Sequence, residues 1–338
     1  MESLKIADQK TMEEFFKTNL NLFPQAKELL SLQIFRHDPS MIINPTVVIA
    51  KYQLRLLLKN GQTTTLILRG SADTVGYKRL KSYHILQALW GSGFGEGINI
   101  VPRPLGYFSD LRLLLYENVN GRSLIDAFKH PAEIYLKKIE AAIDWLADFH
   151  QKKTKNIPEA IFNWQQEQDE FNRLLKQLTT KYAPQAEEIT RVVELLLQRE
   201  KTLLRPETFS LIHGDYQPNN IIFTQAQTAV IDFNDALLYD ELFDLAYFLT
   251  QAKFMLKNLH NTDITDFLET QKQIYFQLRG LSLDDLSQKK IALFTAQTLL
   301  HIQILTTHGL AAYLLKEIQS NVQKSIWSPS AHLLLRWR

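Results

Sequence analysis

Residues 211–233 read LIHGDYQPNNIIFTQAQTAVIDF, in which a histidine, two aspartates and two adjacent asparagines interrupt an otherwise apolar sequence. NIIFT and TAVIDF are short β-type runs separated by QAQ, which predicts a hairpin. The hairpin would bring Asn220, at the entry to its first strand, close to Asp232, at the exit of its second, and Asp215 would lie on the loop leading in. Hard oxygen ligands suit Mg²⁺, and a loop carboxylate can accept the proton of an attacking hydroxyl. The stretch therefore indicates metal-assisted phosphoryl transfer.

The spacing of these polar residues strengthens that interpretation. His213 precedes Asp215 by two residues, Asn220 follows it by five, and the later Asp232 is followed by Phe233, which is the skeleton of kinase catalytic segments. A polar loop that caps a core hairpin is the structural alternative. A metal-dependent phosphohydrolase using His213, Asp215 and Asp232 is another, although such sites generally have more His and Asp ligands.

HGDYQPNN followed by VIDF and FDLAYFL resembles the aminoglycoside phosphotransferase and choline kinase-like family, whose members phosphorylate small molecules. LLLYENVNGRSL is similar to the inter-lobe hinge of that family and WLADFH to the helix before its catalytic region. The resemblance covers roughly residues 50–250 and is strongest at 211–248. It implies an α+β, protein-kinase-like two-lobe fold, ATP and Mg²⁺ as cofactors, and a small-molecule hydroxyl as the acceptor.

The resemblance also assigns roles to single residues. Asp215 matches the catalytic base and Asn220 a Mg²⁺ ligand, while Asp232 matches the second metal-binding position. Asp244 in DLA matches an aspartate that braces the catalytic loop. His213 is expected to orient this loop rather than to transfer protons.

The nucleotide site departs from the usual kinase pattern. The hinge match places adenine against backbone groups of Glu117 and Val119, with the Glu117 side chain exposed. Arg69 stands where a strand lysine usually reaches the phosphates, and arginine can bind phosphate in its place. The following helix, YKRLKSYHILQALW, has no acidic residue for the usual ion pair, and DPSMIINPTVV has no glycine for a phosphate loop. A catalytically weak or inactive nucleotide-binding regulator is therefore the alternative function.

Two further features are interpreted as structural. GSGFGEG at 91–97 follows a helix rather than joining two strands, which favours a helix stop and surface loop over a phosphate loop. His150 is expected to be buried and hydrogen-bonded.

The rest of the chain predicts a small strand-rich lobe, residues 1–118, and a larger helical lobe, residues 119–338, with a ligand in the cleft between them. Residues 46–69 alternate like a hairpin with an Asn60-Gly61 turn, and a helix is expected from about Gly76 to Trp90, begun near Asp73. IEAAIDWLADFH has the helical period of a half-buried helix.

Composition limits the partners. With 38 Lys plus Arg against 36 Asp plus Glu, the net charge of +2 gives no support for nucleic-acid binding. Cysteine is absent, which excludes disulfides and thiolate metal sites, and MESLKIADQKTMEEFF does not resemble a secretory signal, so a cytoplasmic location is expected. Residues 291–315 lack charged residues but contain polar side chains costly in lipid, so a buried helix is favoured over a membrane span.

The acceptor is not identified by the sequence. Asp263, Asp266 and Glu269 could face a cationic amine or aminoglycoside, but scattered helix carboxylates are usually a solvated face.

Overall fold

The computed structural model describes residues 2–36, 47–73, 76, 78–152, 160–260, 263–305, 318 and 320–324. These residues fall into two compact units. The first lies within Met1–Arg122 and Ile222–Asp235, and the second within Ser123–Lys153, Ala160–Ile221 and Ala236–Arg338.

The first unit contains most of the strands. Its elements in chain order are α1 (Gln9–Thr18), β1 (Ala26–Arg36), β2 (Val47–Leu58), β3 (Thr63–Asp73), α2 (Lys78–Leu89), β4 (Asn99–Ile100), β5 (Pro104–Phe108), β6 (Leu113–Glu117) and β7 (Arg122–Ser123). The main sheet has the strand order β1-β2-β3-β6-β5. All of its neighbouring strands run antiparallel.

The predicted hairpin at residues 46–69 is confirmed as β2 and β3. Its register pairs Lys51 with Arg69 and Leu57 with Thr63, and Gly61 takes a left-handed φ of 86° in the turn. Alternation buries Tyr52, Leu54 and Leu56 on one face, because successive strand side chains point to opposite faces. That face forms the core of the unit.

A helix not predicted from the sequence, α1, covers this core. Asp8 caps it by accepting a hydrogen bond from the Thr11 backbone N–H at 2.8 Å. Met12 and Phe16, four residues apart, are fully buried, and Phe16 packs edge-on against Tyr52 with 5.3 Å between ring centroids. The first unit therefore contains α1 in addition to the helix that the sequence predicts after β3. Residues 38–46 of the glycine-free segment lie outside the described residues.

The helix expected from about Gly76 begins, as α2, at Lys78, and Asp73 ends β3 instead of starting the helix. A strand in this place is favoured because Ser71 and Ala72 continue the pairing with Leu114 and Leu113 of β6. After α2, Gly93 and Gly97 have φ values of 106° and 95°, which fits the predicted helix stop and surface loop.

The second predicted hairpin is also confirmed. After β8 (Ser210–Ile212), its strands are β9 (Ile221–Phe223) and β10 (Thr228–Val230), which are neighbours in a four-stranded sheet ordered β4-β10-β9-β7. β10 pairs in parallel with β4, and the Thr228 N–H donates to the Ile98 carbonyl at 2.8 Å. This pairing joins segments about 130 residues apart and was not predicted.

The second unit is mainly helical. Its remaining elements are α3 (Leu124–Ala127), α4 (Ala132–Gln151), α5 (Trp164–Lys181), α6 (Ala186–Leu203), β11 (Leu237–Tyr239), α7 (Leu242–His260), α8 (Thr265–Arg279) and α9 (Asp285–Leu305). The predicted face of α4 is buried: Ile139, Ala142, Ile143, Leu146 and Phe149.

The part of the apolar segment 291–315 that the structure describes belongs to α9, where Leu293 and Phe294 are fully buried. Across the described residues, no helix combines the length and apolar character needed to cross a membrane.

Candidate active site

The loop between β8 and β9 is fixed to the start of α7 by one buried carboxylate. Asp244 accepts hydrogen bonds from the backbone N–H groups of His213 at 2.7 Å and Gly214 at 3.0 Å. Its Oδ2 also lies 3.2 Å from Nε2 of His150. Backbone donors that would otherwise be unsatisfied in the interior are thereby paired. The Asp244 carboxylate thereby ties the loop to α7.

The two buried histidines support the same loop. His150 lies between Asp244 and the Tyr275 hydroxyl, which is 2.7 Å from its Nδ1, so the prediction of a buried, hydrogen-bonded histidine is confirmed. His213 is fully buried, and its Nδ1 accepts a hydrogen bond from the Asp215 N–H at 3.2 Å. His213 thus contacts the backbone of Asp215 rather than its carboxylate, as suits an orienting role.

Side-chain donors surround the Asp215 carboxylate. The Gln217 amide lies 3.0 and 2.9 Å from its two oxygens, the Asn220 amide donates to Oδ2 at 2.8 Å, and the Tyr247 hydroxyl donates to Oδ1 at 3.0 Å. Because an ionised carboxylate is an acceptor only, this set of donors suits the charged form. The carboxylate is thereby held in one orientation.

Asn220 also donates to the Asp215 carbonyl at 2.9 Å. Both of its hydrogen bonds use the amide nitrogen, so its amide oxygen is the atom directed elsewhere. An amide oxygen is a ligand that Mg²⁺ accepts, and the Asn220 side chain therefore fits the predicted metal role.

Tyr216 packs the loop against the helical core. Its hydroxyl donates to the Ala142 carbonyl of α4 at 2.7 Å, and its ring stacks on Trp145 with 5.6 Å between centroids. Burial raises the pKa of Tyr216 well above its ordinary value. The residue after the predicted base is thus a buried anchor.

In the first unit, Asp232 follows β10 in a left-handed conformation, with φ of 69°. A non-glycine residue in this region is uncommon and often marks a functional position. Its side chain is 43% exposed, and Oδ1 lies 3.9 Å from the Arg79 guanidinium. An accessible carboxylate at this position fits a divalent cation.

An ion pair joins β3 and α2, although α2 has no carboxylate for the usual kinase pair. Arg79 of α2 lies 3.0 Å from the Asp73 carboxylate at the end of β3, and both side chains are over nine-tenths buried. The contact is an ion pair without a linear hydrogen bond from Nε. The helix therefore supplies the cation and the strand the anion, which is how a helix without acidic residues still pairs with the strand.

The same helix contacts the segment after Asp232. Lys78 forms an exposed ion pair with Asp235 at 2.6 Å, and the Ser82 hydroxyl donates to Asn234 at 2.8 Å. Both ends of this contact belong to the first unit, so α2 and residues 232–235 form one substructure.

The other predicted nucleotide residues lie near the end of β6. Arg69 donates from Nε to the Asn118 side-chain oxygen at 2.9 Å, and it pairs in register with Tyr116. The Glu117 side chain is exposed, as predicted, and lies 3.5 Å from the Arg103 guanidinium. Val119 is half-buried two residues later.

Sequence reasoning missed three residues near the site. Gln217 occupies an unspecified position of the H-G-D-x-x-x-x-N pattern, so only the structure reveals its contact with Asp215. Tyr247 follows Asp244 by three residues on α7, a helical spacing that could have placed it toward the same loop. Arg79 was visible only as one of several basic residues on α2.

Comparison with known proteins connects these observations. Residues 61–281 match the phosphotransferase enzyme family, APH, which is well over half of the chain. A curated relative, acyl-CoA dehydrogenase family member 11 from Gallus gallus, is 26% identical over 323 residues. The alignment covers 81% of this chain and 36% of the relative, so the chain spans about a third of that protein.

Solved structures show the same fold at low identity. Choline kinase from Cryptosporidium parvum Iowa II has a TM-score of 0.60 and 12% identity, covering 94% of this chain and 96% of that one. An amicoumacin kinase complex with AMP-PNP and Ca²⁺ has a TM-score of 0.55 and 15% identity, covering 93% and 94%. The streptomycin–ATP–APH(2")-IIa ternary complex has a TM-score of 0.52 and 15% identity, covering 93% and 98%.

These likenesses confirm the predicted α+β, protein-kinase-like fold class. The sequence motif at 211–248, the braced loop and the match over residues 61–281 agree with one another. The chain belongs to the APH phosphotransferase enzyme family.

Proposed function

We propose that the protein is an ATP- and Mg²⁺-dependent phosphotransferase that moves the γ-phosphate of ATP to a hydroxyl of a small molecule. The observation that carries this proposal is the Asp215 carboxylate, which lies on the loop braced by Asp244 and is oriented by three side-chain donors. Membership of a phosphotransferase family supports the reaction type, and the ATP complex of a structural relative supports the nucleotide.

Asp215 is the base in this proposal. The acceptor hydroxyl gives its proton to the Asp215 carboxylate while its oxygen forms a bond to the γ-phosphorus. The bond between that phosphorus and the β–γ bridging oxygen breaks, and ADP leaves with the electron pair. His213 orients the backbone of Asp215, and Asp244 keeps the loop in place.

Mg²⁺ would be held by Asn220 and Asp232, and when bound it offsets the charge of the phosphates. The amide oxygen of Asn220 and the accessible carboxylate of Asp232 are suitable donors. Arg69 would contact the phosphates, and backbone groups of Glu117 and Val119 would contact adenine. The proposal assigns nucleotide binding to residues 1–118 and catalysis to residues 119–338.

The test is thermal unfolding with and without ATP plus Mg²⁺, because a ligand that binds only the folded state raises its stability by about 2.7 kcal/mol at 100 times Kd. We expect the midpoint to rise for the intact protein and the Mg²⁺-dependent part of the rise to disappear in Asp232→Ala. Asp110→Ala is the matched control, since it removes an exposed carboxylate from the same unit.

Turnover with a panel of hydroxyl acceptors completes the test. ATP binding with phosphoryl transfer supports the enzyme. ATP binding without transfer to any acceptor supports the inactive regulator instead, and no rise in midpoint at millimolar ATP would contradict both.

A further inference from the structure

Helices α7, α8 and α9, together with Asn321 and Lys324, line an open cavity of about 590 Å³ within the second unit. Residues of α7 that recur at helical spacing line one wall: Ala246, Thr250, Lys253 and Lys257. Cavities of roughly 300–1,000 Å³ are typical of small-ligand sites. The volume therefore suits a small molecule rather than a peptide or a nucleic acid.

The described part of the cavity lining carries a positive charge. Among the residues that the structure describes, five lysines and two carboxylates line it: Lys253, Lys257, Lys272, Lys289, Lys324, Glu269 and Asp285. Lys272 pairs with Glu269, and Lys289 pairs with Asp285 at 2.6 Å. Five minus two leaves a surplus of three positive charges on the lining.

One carboxylate outside the lining lies near these lysines. Hydrogen bonds from Thr265 lower the pKa of Asp263, and the charges of Lys253 and Lys257 contribute to the same shift. Counting Asp263 with the lining still leaves a surplus of two positive charges. Glu269 and Asp263 are thus outnumbered by lysines, which disfavours a cationic amine in this cavity.

Apolar and hydroxyl groups make up much of the remaining surface. Leu249, Phe254 and Leu268 lie beside Thr250 and Thr295. Such a lining packs against a carbon skeleton and offers hydrogen bonds to polar substituents. The ligand that fits is a carbon chain or ring with an anionic group.

Helix α7 leads from the catalytic loop to this cavity. Asp244 and Tyr247 contact the loop, and the cavity lining begins at Ala246 and continues through Lys253. At about 1.5 Å of rise per residue, Lys253 lies roughly 9 Å along the helix from Tyr247. A small molecule can span that distance between a hydroxyl and a negatively charged group.

We propose that this cavity binds the anionic part of the acceptor, so that the substrate is a hydroxylated small molecule carrying a carboxylate or a phosphate. This inference rests on the proposed function, because it assigns the acceptor of the same reaction. Lysine ammonium groups attract such an anion and repel an amine.

The experiment compares probes that differ in one group. 6-Hydroxyhexanoate, 6-hydroxyhexanamide and 6-aminohexan-1-ol carry the same hydroxyl with negative, neutral and positive partners, and glucose 6-phosphate is compared with glucose. Binding is measured by calorimetry without nucleotide, and phosphorylation is measured with ATP and Mg²⁺.

The test variant is K253Q/K257Q, which removes two of the lysine charges, and K253R/K257R is the variant that retains them. The exposed Lys201 of α6 provides the control K201Q/K253R/K257R, which lowers net charge outside the cavity.

We expect an anionic probe to bind about tenfold or more tightly than its neutral counterpart and to be phosphorylated preferentially. K253Q/K257Q should lose that preference, while both arginine-containing variants keep it. Preference for the carboxylate or for the phosphate identifies which anion the acceptor carries. Equal binding of all probes, preference for the amine, or binding unaffected by K253Q/K257Q would overturn the inference.

Two further outcomes separate the inference from the proposed function. An anion that binds at these lysines but is not phosphorylated by an ATP-binding enzyme would overturn its role as the acceptor. Failure to bind ATP would contradict the proposed function, and with it the acceptor role, while the nucleotide-free calorimetry would still report whether the cavity binds anions.

Discussion

Arg79 of α2 and Asp73 at the end of β3 form a buried ion pair, with 3.0 Å between Nε and Oδ1. Kinases of this fold usually place the cation on the strand and the carboxylate on the helix. The reversed pair also brings the Arg79 guanidinium to 3.9 Å from Asp232, so the helix cation lies beside a predicted metal ligand. Arg69, the strand cation, instead contacts Asn118.

Removing the Arg79 cation should destabilise the protein, because Asp73 would remain buried without a partner. We expect Arg79→Leu to lower the free energy of unfolding by about 3–5 kcal/mol in urea denaturation. The double variant Arg79→Leu/Asp73→Leu should recover much of this loss. A single variant as stable as the intact protein would show that the pair contributes little.

The carboxylate of Asp215 should be needed for chemistry rather than for nucleotide binding. We expect Asp215→Asn to lower turnover at least ~10²-fold, since the amide cannot accept the hydroxyl proton. The rise in unfolding midpoint with ATP and Mg²⁺ should remain. Glu207→Gln, at an exposed position of the same unit, is the control. Full activity in a pure preparation of Asp215→Asn would contradict the assignment of the base.

The Tyr247 hydroxyl should orient the base. Tyr247→Phe removes the hydrogen bond of 3.0 Å to Asp215 and leaves the ring stacked on Phe243. We expect turnover to fall roughly tenfold or more, because hydrogen bonds to charged groups contribute about 1.5–3 kcal/mol and each 1.4 kcal/mol corresponds to about a factor of ten. The KM for ATP should not change. Tyr182→Phe provides a comparison on the same unit, and equal turnover in the two variants would exclude an orienting role.

The close backbone approach at Gly121 should not tolerate a side chain. A Cβ there would lie 2.4 Å from the Phe223 carbonyl oxygen and 2.8 Å from the Ile222 side chain. We expect Gly121→Ala to lower the free energy of unfolding by about 1–3 kcal/mol. Gly91→Ala meets no atom within 4 Å and should change it by less than about 0.5 kcal/mol. Equal unfolding midpoints for the two variants would argue against the close contact.

Burial of Tyr52 should make stability fall at alkaline pH. Desolvation raises the pKa of this fully buried tyrosine, whose hydroxyl donates to the Ile6 carbonyl at 2.7 Å. Above about pH 10 the unfolded chain loses the proton while the folded chain keeps it, so stability falls by up to ~1.4 kcal/mol per pH unit.

Urea midpoints between about pH 10 and 11.5 measure this slope. Tyr52→Phe should make this slope shallower by up to the contribution of one tyrosine, ~1.4 kcal/mol per pH unit. Tyr52→Phe also removes the hydrogen bond to the Ile6 carbonyl. That loss lowers the free energy of unfolding by the same amount at every pH in this range, so it does not alter the slope. An unchanged slope in Tyr52→Phe would contradict the shift.

Local patterns predicted much of this fold. The β2–β3 and β9–β10 hairpins and the buried face of α4 follow from alternation, turn residues and helical period, which are properties of neighbouring residues. The short helix α1 was not predicted because few apolar residues form its buried face. Its burial depends on packing against β2, which the local sequence does not show.

Contacts between distant segments were not predictable in the same way. The pairing of β4 with β10 and the lysines gathered from α7, α8 and α9 depend on which elements meet in space. Asp215, Asn220 and Asp232 were singled out because their spacing has chemical meaning, and Asp244 because FDLAYFL resembles a family segment. Gln217 and Tyr247 have no such signature, and their position beside Asp215 follows only from the folded loop.

The pairing of β10 with β4 also has a consequence for how the chain is synthesised. The first unit takes one of its strands from residues 228–230, so this sheet stays incomplete until the ribosome has added more than 100 residues beyond β4. Until then the edge of β4 lacks its partner, and α2 lacks its contacts with Asn234 and Asp235. Cutting the gene at residue 122 would separate β4 from its partner strand, so neither fragment would contain the complete first unit.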